Sequence, residues 1–530
     1  MKNYLTILLF LYLANAFAQE HAWVYFNDKP DATSALENPL SMLSQRALDR
    51  RDRQGIPLDY KDVPLSNAYY NQIANQPGII IRAKSKWLNA LHIYGSEDNI
   101  NALIAISFVK KIQFAAKNLQ TLTKSTFPKK IQKNKFSELT DFNYGGSYNQ
   151  ANQIRVDYLH ENNFTGSSML IAVLDAGFSK VNTLNAFQRI RDNNQILGGY
   201  NYVERSTDFY KNHSHGTSVL STIGGFVEGQ LVGTAPDAKF YLFTTEDVTS
   251  ETPLEESLWV EAAEKSDSLG VDIINTSLGY RDFDDSRYDH LYSDMDGKTT
   301  FMARGANIAA ERGMLIVASA GNSGNNSYYN IGTPADATNV FTIGAVDANG
   351  NMASFSSYGP NFSNQVKPDV CAKGVATTLI NLNDDVVTGN GTSFSSPVMA
   401  GAIACLWEAY PNKTNFEIMQ IVRESAHLFD NPTSHQGFGI PNMEFAFTSM
   451  KIAPFENIHF YPNPTKNKLH IHSLNDTTQY SVKIFDVLGN FILKQPITNN
   501  TVYLQDINSG IYILQISDTK NTKQFKFMKY

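Results

Sequence analysis

Asp175, His215 and Ser393 stand in three separated segments whose side chains together could carry out acyl transfer. Asp175 ends the apolar run Leu170-Ile171-Ala172-Val173-Leu174, His215 opens His-Gly-Thr-Ser, and Ser393 lies within Gly391-Thr392-Ser393-Phe394-Ser395-Ser396-Pro397. A serine hydroxyl is a weak nucleophile at neutral pH. An imidazole must take its proton, and a buried carboxylate must hold that imidazole in the right tautomer. Each residue alone has a plainer explanation: an Asp at a strand end often caps the next turn, and Ser commonly caps a helix. Only the combination points to catalysis. His213 competes for the imidazole role, and a His-x-His pair can also ligate a metal, yet no third ligand stands near it in sequence.

For these side chains to meet, the chain between Ala151 and Phe447 must bring distant segments to one place. Short apolar strands (Ile171–Leu174, Phe240–Phe243, Val271–Ile274, Leu315–Ala318, Val340–Ile343) alternate there with helical segments. This is the pattern of βαβ units around a parallel sheet, and strands buried on both faces read as near-continuous apolar runs. The fold class is therefore α/β, a parallel sheet with helices on both faces. Sites in such sheets gather at the carboxyl ends of the strands, where Asp175, Ser277 and Asn322 fall. Ser393 begins a helix that runs through Val398 to Ile403, and Pro397 is tolerated because first-turn N–H groups need no intrahelical acceptor.

These segments resemble the subtilisin-like serine proteases, and further landmarks agree: Val317-Ala318-Ser319-Ala320-Gly321-Asn322, Asn275-Thr276-Ser277-Leu278-Gly279, Val232-Gly233-Thr234-Ala235-Pro236 and Lys367-Pro368-Asp369-Val370. The chain order Asp, His, Ser is that of subtilisin. The resemblance, from Gln150 to Phe447, implies a triad of Asp175, His215 and Ser393. Gly216-Thr217 selects His215 and leaves His213 as a surface neighbour. It also implies an oxyanion cradle made by the Asn322 amide and the Ser393 N–H, and a substrate site at Ser277, Leu278, Gly279, Ala320, Gly321 and Gly332. Ser277-Leu278-Gly279 would be an exposed edge that pairs with a peptide main chain. Apolar Ile273-Ile274 before it fits an interior strand end equally well. Gly332 would leave the primary specificity pocket roomy and favour large apolar residues before the cleaved bond.

Around this core the composition indicates modules. The 530 residues exceed one small core, and a net charge of −7 offers no basic field for nucleic acid. Residues 1–18 have the charge, apolar core and small-residue site of a signal peptide, too short to span a bilayer. Residues 19–123 read as an α+β prodomain, with strand Gly78–Arg82 and helical stretches Leu40–Arg53 and Lys86–Tyr94. Residues 124–140, with Lys124, Lys129, Lys130, Lys133 and Lys135, read as an exposed basic linker where processing should fall. A catalytic domain at 141–450 follows.

Residues 455–530 alternate as an antiparallel β-sandwich. Their Tyr461-Pro462-Asn463-Pro464 opening, Val487-Leu488-Gly489-Asn490 turn and Ser509-Gly510-Ile511-Tyr512 hairpin resemble the type IX secretion sorting domain of Bacteroidota. An adhesion or carbohydrate-binding sandwich is the alternative. The resemblance implies a zymogen, secreted or held at the cell surface via the periplasm, monomeric, with protein or peptide substrates and the secretion machinery as partners. Self-cleavage near the linker is expected. Cys371 and Cys405 lie in apolar settings and read as buried thiols. No cofactor is assigned. Asp282, Asp284, Asp285, Asp289, Asp294 and Asp296 form either a solvated acidic loop or oxygen ligands for Ca²⁺, while Gly224–Gln230 is too short for the calcium loop of many relatives. A catalytically idle fold serving as a binding or adhesion module is the rival reading; transpeptidation would share the acyl-enzyme.

Overall fold

The computed structural model describes residues 19–119, 142–452 and 459–530, apart from 462, 473–479, 488, 498–499, 506 and 518–521. The expected signal peptide and basic linker lie outside the described residues. Two compact units are formed, one ending at Ala446 and the other starting at Phe447.

The larger unit opens with a four-stranded antiparallel sheet made of β1 (Gln19–Phe26), β2 (Ile79–Ser85), β3 (Ala90–Ser96) and β4 (Val109–Phe114), in the order β2-β3-β1-β4. Helix α1 (Gln45–Arg53) is capped by Ser44, whose hydroxyl accepts from Ala47 N–H. Two sequence expectations are corrected here. The helical stretch from Leu40 shortens to α1 after a 3₁₀ turn at Pro39–Ser41. Lys86–Tyr94 is no helix: Asn89 at φ 49° turns the chain between β2 and β3, and Ala90 onward joins the sheet. Long-range strand pairing outweighs the weak local helical preference there.

Next comes a seven-stranded sheet, every neighbouring pair parallel. In chain order its strands and the helices that matter are β5 (Leu170–Asp175), β6 (Ile196–Asn201), α2 (His215–Gly224), β7 (Lys239–Thr244), α3 (Leu254–Leu269), β8 (Ile273–Thr276), α4 (Phe301–Glu311), β9 (Leu315–Ser319), β10 (Phe341–Val346), β11 (Val370–Lys373) and α5 (Thr392–Ala409). The sheet order is β11-β10-β9-β8-β5-β7-β6. Strands β5, β8 and β9 are buried throughout, as expected of strands covered on both faces.

The N-terminal sheet shares a core with α3 and α4. Strand alternation divides β1 between two faces: Ala22, Val24 and Phe26 fill its own core, while Trp23 and Tyr25 enter the cluster of Trp259 and Phe301. The Trp23 ring stacks on Phe301 at 4.9 Å, and its indole N–H donates to Ser257 at 2.8 Å. Arg50 and Arg51, both buried, pair with Asp267 at 2.5 and 2.8 Å, and Arg46 pairs with Asp272 at 2.6 Å. For the buried pairs, desolvation cancels much of the attraction, so their net contribution to stability is small.

The insertion after Gly279 grips the same sheet. Lys117 pairs with Asp294 at 2.6 Å, and Arg287 and Tyr288 both donate to Glu20. Of its other carboxylates, Asp285 is partnered locally by Arg287 and Asp296 by Lys298 and Thr299 N–H groups, while Asp284 accepts from Glu251 N–H.

The smaller unit packs a three-stranded sheet against a four-stranded antiparallel one around Leu469, Ile471, Val482, Ile484, Val502, Leu514 and Ile516. No helix among the described residues is long and apolar enough to cross a membrane.

Replacing Trp23 by Ala removes both the stack and the hydrogen bond at the seam. The precursor is expected to lose about 3–5 kcal/mol of unfolding free energy, measured by urea titration. An unchanged midpoint would show that the seam contributes little.

Candidate active site

Asp175 closes β5 with no exposed surface. Its Oδ1 accepts from Ala176 N–H at 2.8 Å and pairs with His215 Nδ1 at 2.7 Å. A carboxylate can only accept, so Nδ1 carries the proton and the neutral ring keeps its lone pair on Nε2. His215 opens α2, and its own N–H donates to His213 Nδ1 at 3.3 Å; His213 is exposed.

Two glycines allow that approach. A Cβ on Gly216 would lie 2.4 Å from the Gly177 carbonyl oxygen and 2.9 Å from Asp175 Cβ. A Cβ on Gly177, at φ +149°, would lie 2.5 Å from the His213 nitrogen. The Gly after His215 and the small residues after Asp175 therefore exist so that strand end and helix start can touch. Burial pulls the His215 pKa down, but the Asp175 charge, the hydrogen bond to it and the charge of Glu246 outweigh burial and raise it above 6.5.

Ser393 sits in the first turn of α5, where its N–H has no intrahelical acceptor. Ser277 Oγ donates to the Ser393 carbonyl at 2.9 Å, and Ser393 Oγ donates to the Ser277 carbonyl at 3.4 Å. The hydroxyl is thus turned toward Ser277, and no hydrogen bond joins it to His215; the next ring, Phe394, is 6.1 Å from the imidazole.

Asn322 Oδ1 accepts from Thr392 N–H at 2.9 Å and Thr392 Oγ1 at 3.0 Å. Since a backbone N–H can only donate, the amide oxygen must face Thr392, which frees Nδ2. Gly391, at φ +148°, keeps the adjoining space open: a Cβ there would lie 3.7 Å from both Asn322 Nδ2 and the Ser393 nitrogen. Two unspent N–H donors thus border one gap. Thr392, which orients the amide and also accepts from Gly321 N–H at 3.1 Å, escaped the sequence reading. Its contact spans segments far apart in the chain.

The expected exposed edge at Ser277-Leu278-Gly279 is corrected in part. Ser277 and Leu278, which follow the interior strand β8, are each only 6% exposed; Gly279 alone is exposed. Even so, no hydrogen bond occupies the main-chain groups of Leu278 or Gly279 among the described residues. Beyond them Tyr280 and Thr333 exchange N–H···O bonds at 2.8 and 3.1 Å. A Cβ on Gly332 would press within 3.0 Å of the Tyr280 carbonyl oxygen. Ala320, whose N–H bonds the Ile343 carbonyl, and Gly321, at φ +100°, carry the chain from β9 to Asn322.

Cys371 and Cys405 are free, and burial pushes the Cys371 thiol up to about 12. Among the described residues no three or more acidic, His or Cys side chains converge as a metal site.

Chemistry gathered at the carboxyl edge of a parallel sheet, together with an N-terminal sheet that packs on two of its helices, is the build of a serine peptidase precursor. The chain belongs to the subtilase family, whose model matches residues 166–440. The Bacteroidota peptidase S8 propeptide domain matches residues 21–134, and the secretion system C-terminal sorting domain matches residues 459–530. Subtilisin Savinase of Lederbergia lenta is 28% identical over 295 residues, 56% of this chain and 96% of its own. The alkaline protease of Alkalihalobacillus alcalophilus is 28% identical over 56% of this chain and 68% of its own. Subtilisin NAT of Bacillus subtilis subsp. natto is 29% identical over 56% and 69% respectively. The protein is a serine-type endopeptidase made as a zymogen and exported for secretion or surface attachment.

The raised His215 pKa carries a sign. Stability from its pairing is fully present below the unfolded value of 6.5 and is lost as pH rises through the higher folded value. An NMR titration of His215 is expected to give a midpoint above 6.5 that falls in Asp175→Asn, where burial is opposed only by Glu246. A midpoint unmoved by the substitution would dissolve the pair as an energetic unit.

Proposed function

We propose that Ser393 is the nucleophile of this endopeptidase, His215 its general base and then acid, and Asp175 the group that fixes the imidazole. The observation that carries this reading is the 2.7 Å Asp175–His215 bond, with the ring of Phe394, which follows Ser393 at a helix start, 6.1 Å from the imidazole. The reading requires the Ser393 hydroxyl to leave the Ser277 carbonyl and turn toward Nε2, as a change of staggered rotamer would do, and such hydrogen bonds often tighten only when substrate binds.

The hydroxyl then attacks the scissile carbonyl as its proton passes to His215. Negative charge collects on the carbonyl oxygen in the gap bordered by Asn322 Nδ2 and the Ser393 N–H, donors already oriented and requiring no rearrangement. His215 returns the proton to the departing amine, leaving an acyl-enzyme on Ser393. Water, activated by the same imidazole, releases the acid.

The free main chain of Leu278 and Gly279 would pair with the substrate backbone, which needs little side-chain specificity. Gly332 and the cleft beside it would favour a large apolar residue before the cleaved bond. The first bond cut would lie near the lysine-rich linker, releasing the N-terminal sheet.

A fluorophosphonate probe is expected to label the mature enzyme and to lose all labelling in Ser393→Ala and His215→Ala. Labelling that persists in either variant would favour an idle scaffold. In Asn322→Ala, kcat is expected to fall about 10²–10³-fold, the loss seen when the corresponding amide is removed from subtilisin. Because only neutral His215 can accept the proton, the acid limb of kcat/KM should lie above pH 6.5, in line with its raised pKa.

A further inference from the structure

Strand β8 and the residue that follows it show two faces to two helices. Side chains alternate along the strand: Thr276 turns to α3, where its hydroxyl accepts from the Trp259 indole N–H at 3.1 Å, while Asn275 and Ser277 turn to α5. Asn275 has no exposed surface, and neither has Ser396, one turn beyond Ser393 in α5.

Pro397 leaves one helical acceptor without its usual donor. In an α-helix the Ser393 carbonyl would accept from the N–H of the residue four positions on, which here is Pro397 and has no N–H. A buried carbonyl needs a partner from elsewhere. Ser277 supplies it, its Oγ donating to the Ser393 carbonyl at 2.9 Å. A serine hydroxyl has a single proton, so Ser277 Oγ is committed to this bond and can otherwise only accept.

It accepts from Asn275 Nδ2 at 3.3 Å. The amide is oriented in turn by Ser396 Oγ, which donates to Asn275 Oδ1 at 3.0 Å. Reversed, the amide would present Oδ1 to Ser277 and draw its proton away from the Ser393 carbonyl. Ser396, Asn275, Ser277 and Ser393 thus form one ring of hydrogen bonds, closed through the helical turn that joins Ser393 to Ser396.

The ring holds α5 at two points. Residues three apart share a helix face and are separated by about 4.5 Å along the axis. Asn275 and Ser277 lie two apart on one strand face, spaced by roughly 7 Å, and between them they engage both points. A helical turn held at one point can pivot about it. Held at two, it cannot, and any pivot here would redirect the Ser393 side chain and its N–H together.

We propose that Asn275 and Ser396 are positioning residues for the nucleophile: acting through Ser277, they fix the axial rotation of the first turn of α5 and so set where Ser393 Oγ and the Ser393 N–H stand. This rests on the assignment of Ser393 as nucleophile and extends it to two side chains that act only through another residue.

The test compares Asn275→Ala, Ser396→Ala, the double variant and Thr276→Val with the unmodified enzyme. Each is matured in trans by a tagged copy of the unmodified enzyme that is then removed, and active sites are counted by exhaustive fluorophosphonate labelling. Turnover per labelled site is expected to fall at least about tenfold in each single variant with KM within about twofold, since a slightly misplaced nucleophile costs kcat and not binding. The acid limb of kcat/KM should stay in place, because the Asp175–His215 bond is untouched. The double variant should lose no more than about threefold beyond the more affected single, as members of one network are not additive. Thr276→Val, on the opposite face of the same strand, should keep its turnover per site. A merely structural role would lower the number of sites that label and leave turnover per site unchanged, which overturns the proposal. So does a loss confined to KM, a double-variant loss equal to the product of the single ones, or an equal loss in Thr276→Val. If Asn275→Ala does not fold, Ser396→Ala decides alone. An unmodified enzyme that takes no fluorophosphonate overturns the nucleophile assignment itself, and the positioning role with it.

Discussion

Everything in the cleft depends on one short contact, the hydrogen bond between Asp175 at the end of β5 and His215 at the start of α2. It requires a strand terminus and a helix terminus to approach more closely than side chains ordinarily permit. Gly177 and Gly216 remove the obstructing atoms, and the parallel pairing of β5 with β7 and β8 fixes the direction in which the carboxylate points. The imidazole is held in one tautomer before any substrate arrives. The geometry of this pair is a product of sheet register, because a slip of one residue would turn Asp175 to the other face.

The anion gap is built by a second meeting of distant segments. Thr392, at the start of α5, turns the Asn322 amide by taking its oxygen, and Gly391 leaves the space empty. Both donors are orphaned for structural reasons, one by helix geometry and one by the amide's fixed orientation. Under the proposed mechanism, their lack of partners in the resting protein leaves them available when charge develops.

The N-terminal sheet enters this scheme through α3 and α4, helices that also frame the cleft strand β8. Its Trp23 and Tyr25 belong to the same apolar cluster as Trp259 and Phe301, so folding of the two parts is energetically joined. A parallel sheet needs contacts between residues far apart in sequence and is slow to assemble; a local antiparallel sheet that covers two of its helices supplies a surface against which they can settle. The acidic insertion after Gly279 contributes to the same seam through Lys117 and Glu20. An apparent excess of negative charge in the sequence is thereby largely spent on named partners.

Much of this was legible in the sequence. Apolar runs such as Leu170–Leu174 and Leu315–Ala318 marked the parallel strands, the residues around Asp175 and His215 marked a pair that the fold joins, and alternation marked the C-terminal strands. Local pattern failed where distant pairing decided the outcome: Lys86–Tyr94 became a turn and strand, and Ser277 and Leu278, which follow the interior strand β8, were buried. Thr392's hold on Asn322 had no signal along the chain. By itself the sequence determined which elements form and which chemical groups are available, since periodicity and residue type are local properties. Only the tertiary structure decided which of those groups touch, because strand order, register and burial arise from contacts between segments that the linear chain holds far apart.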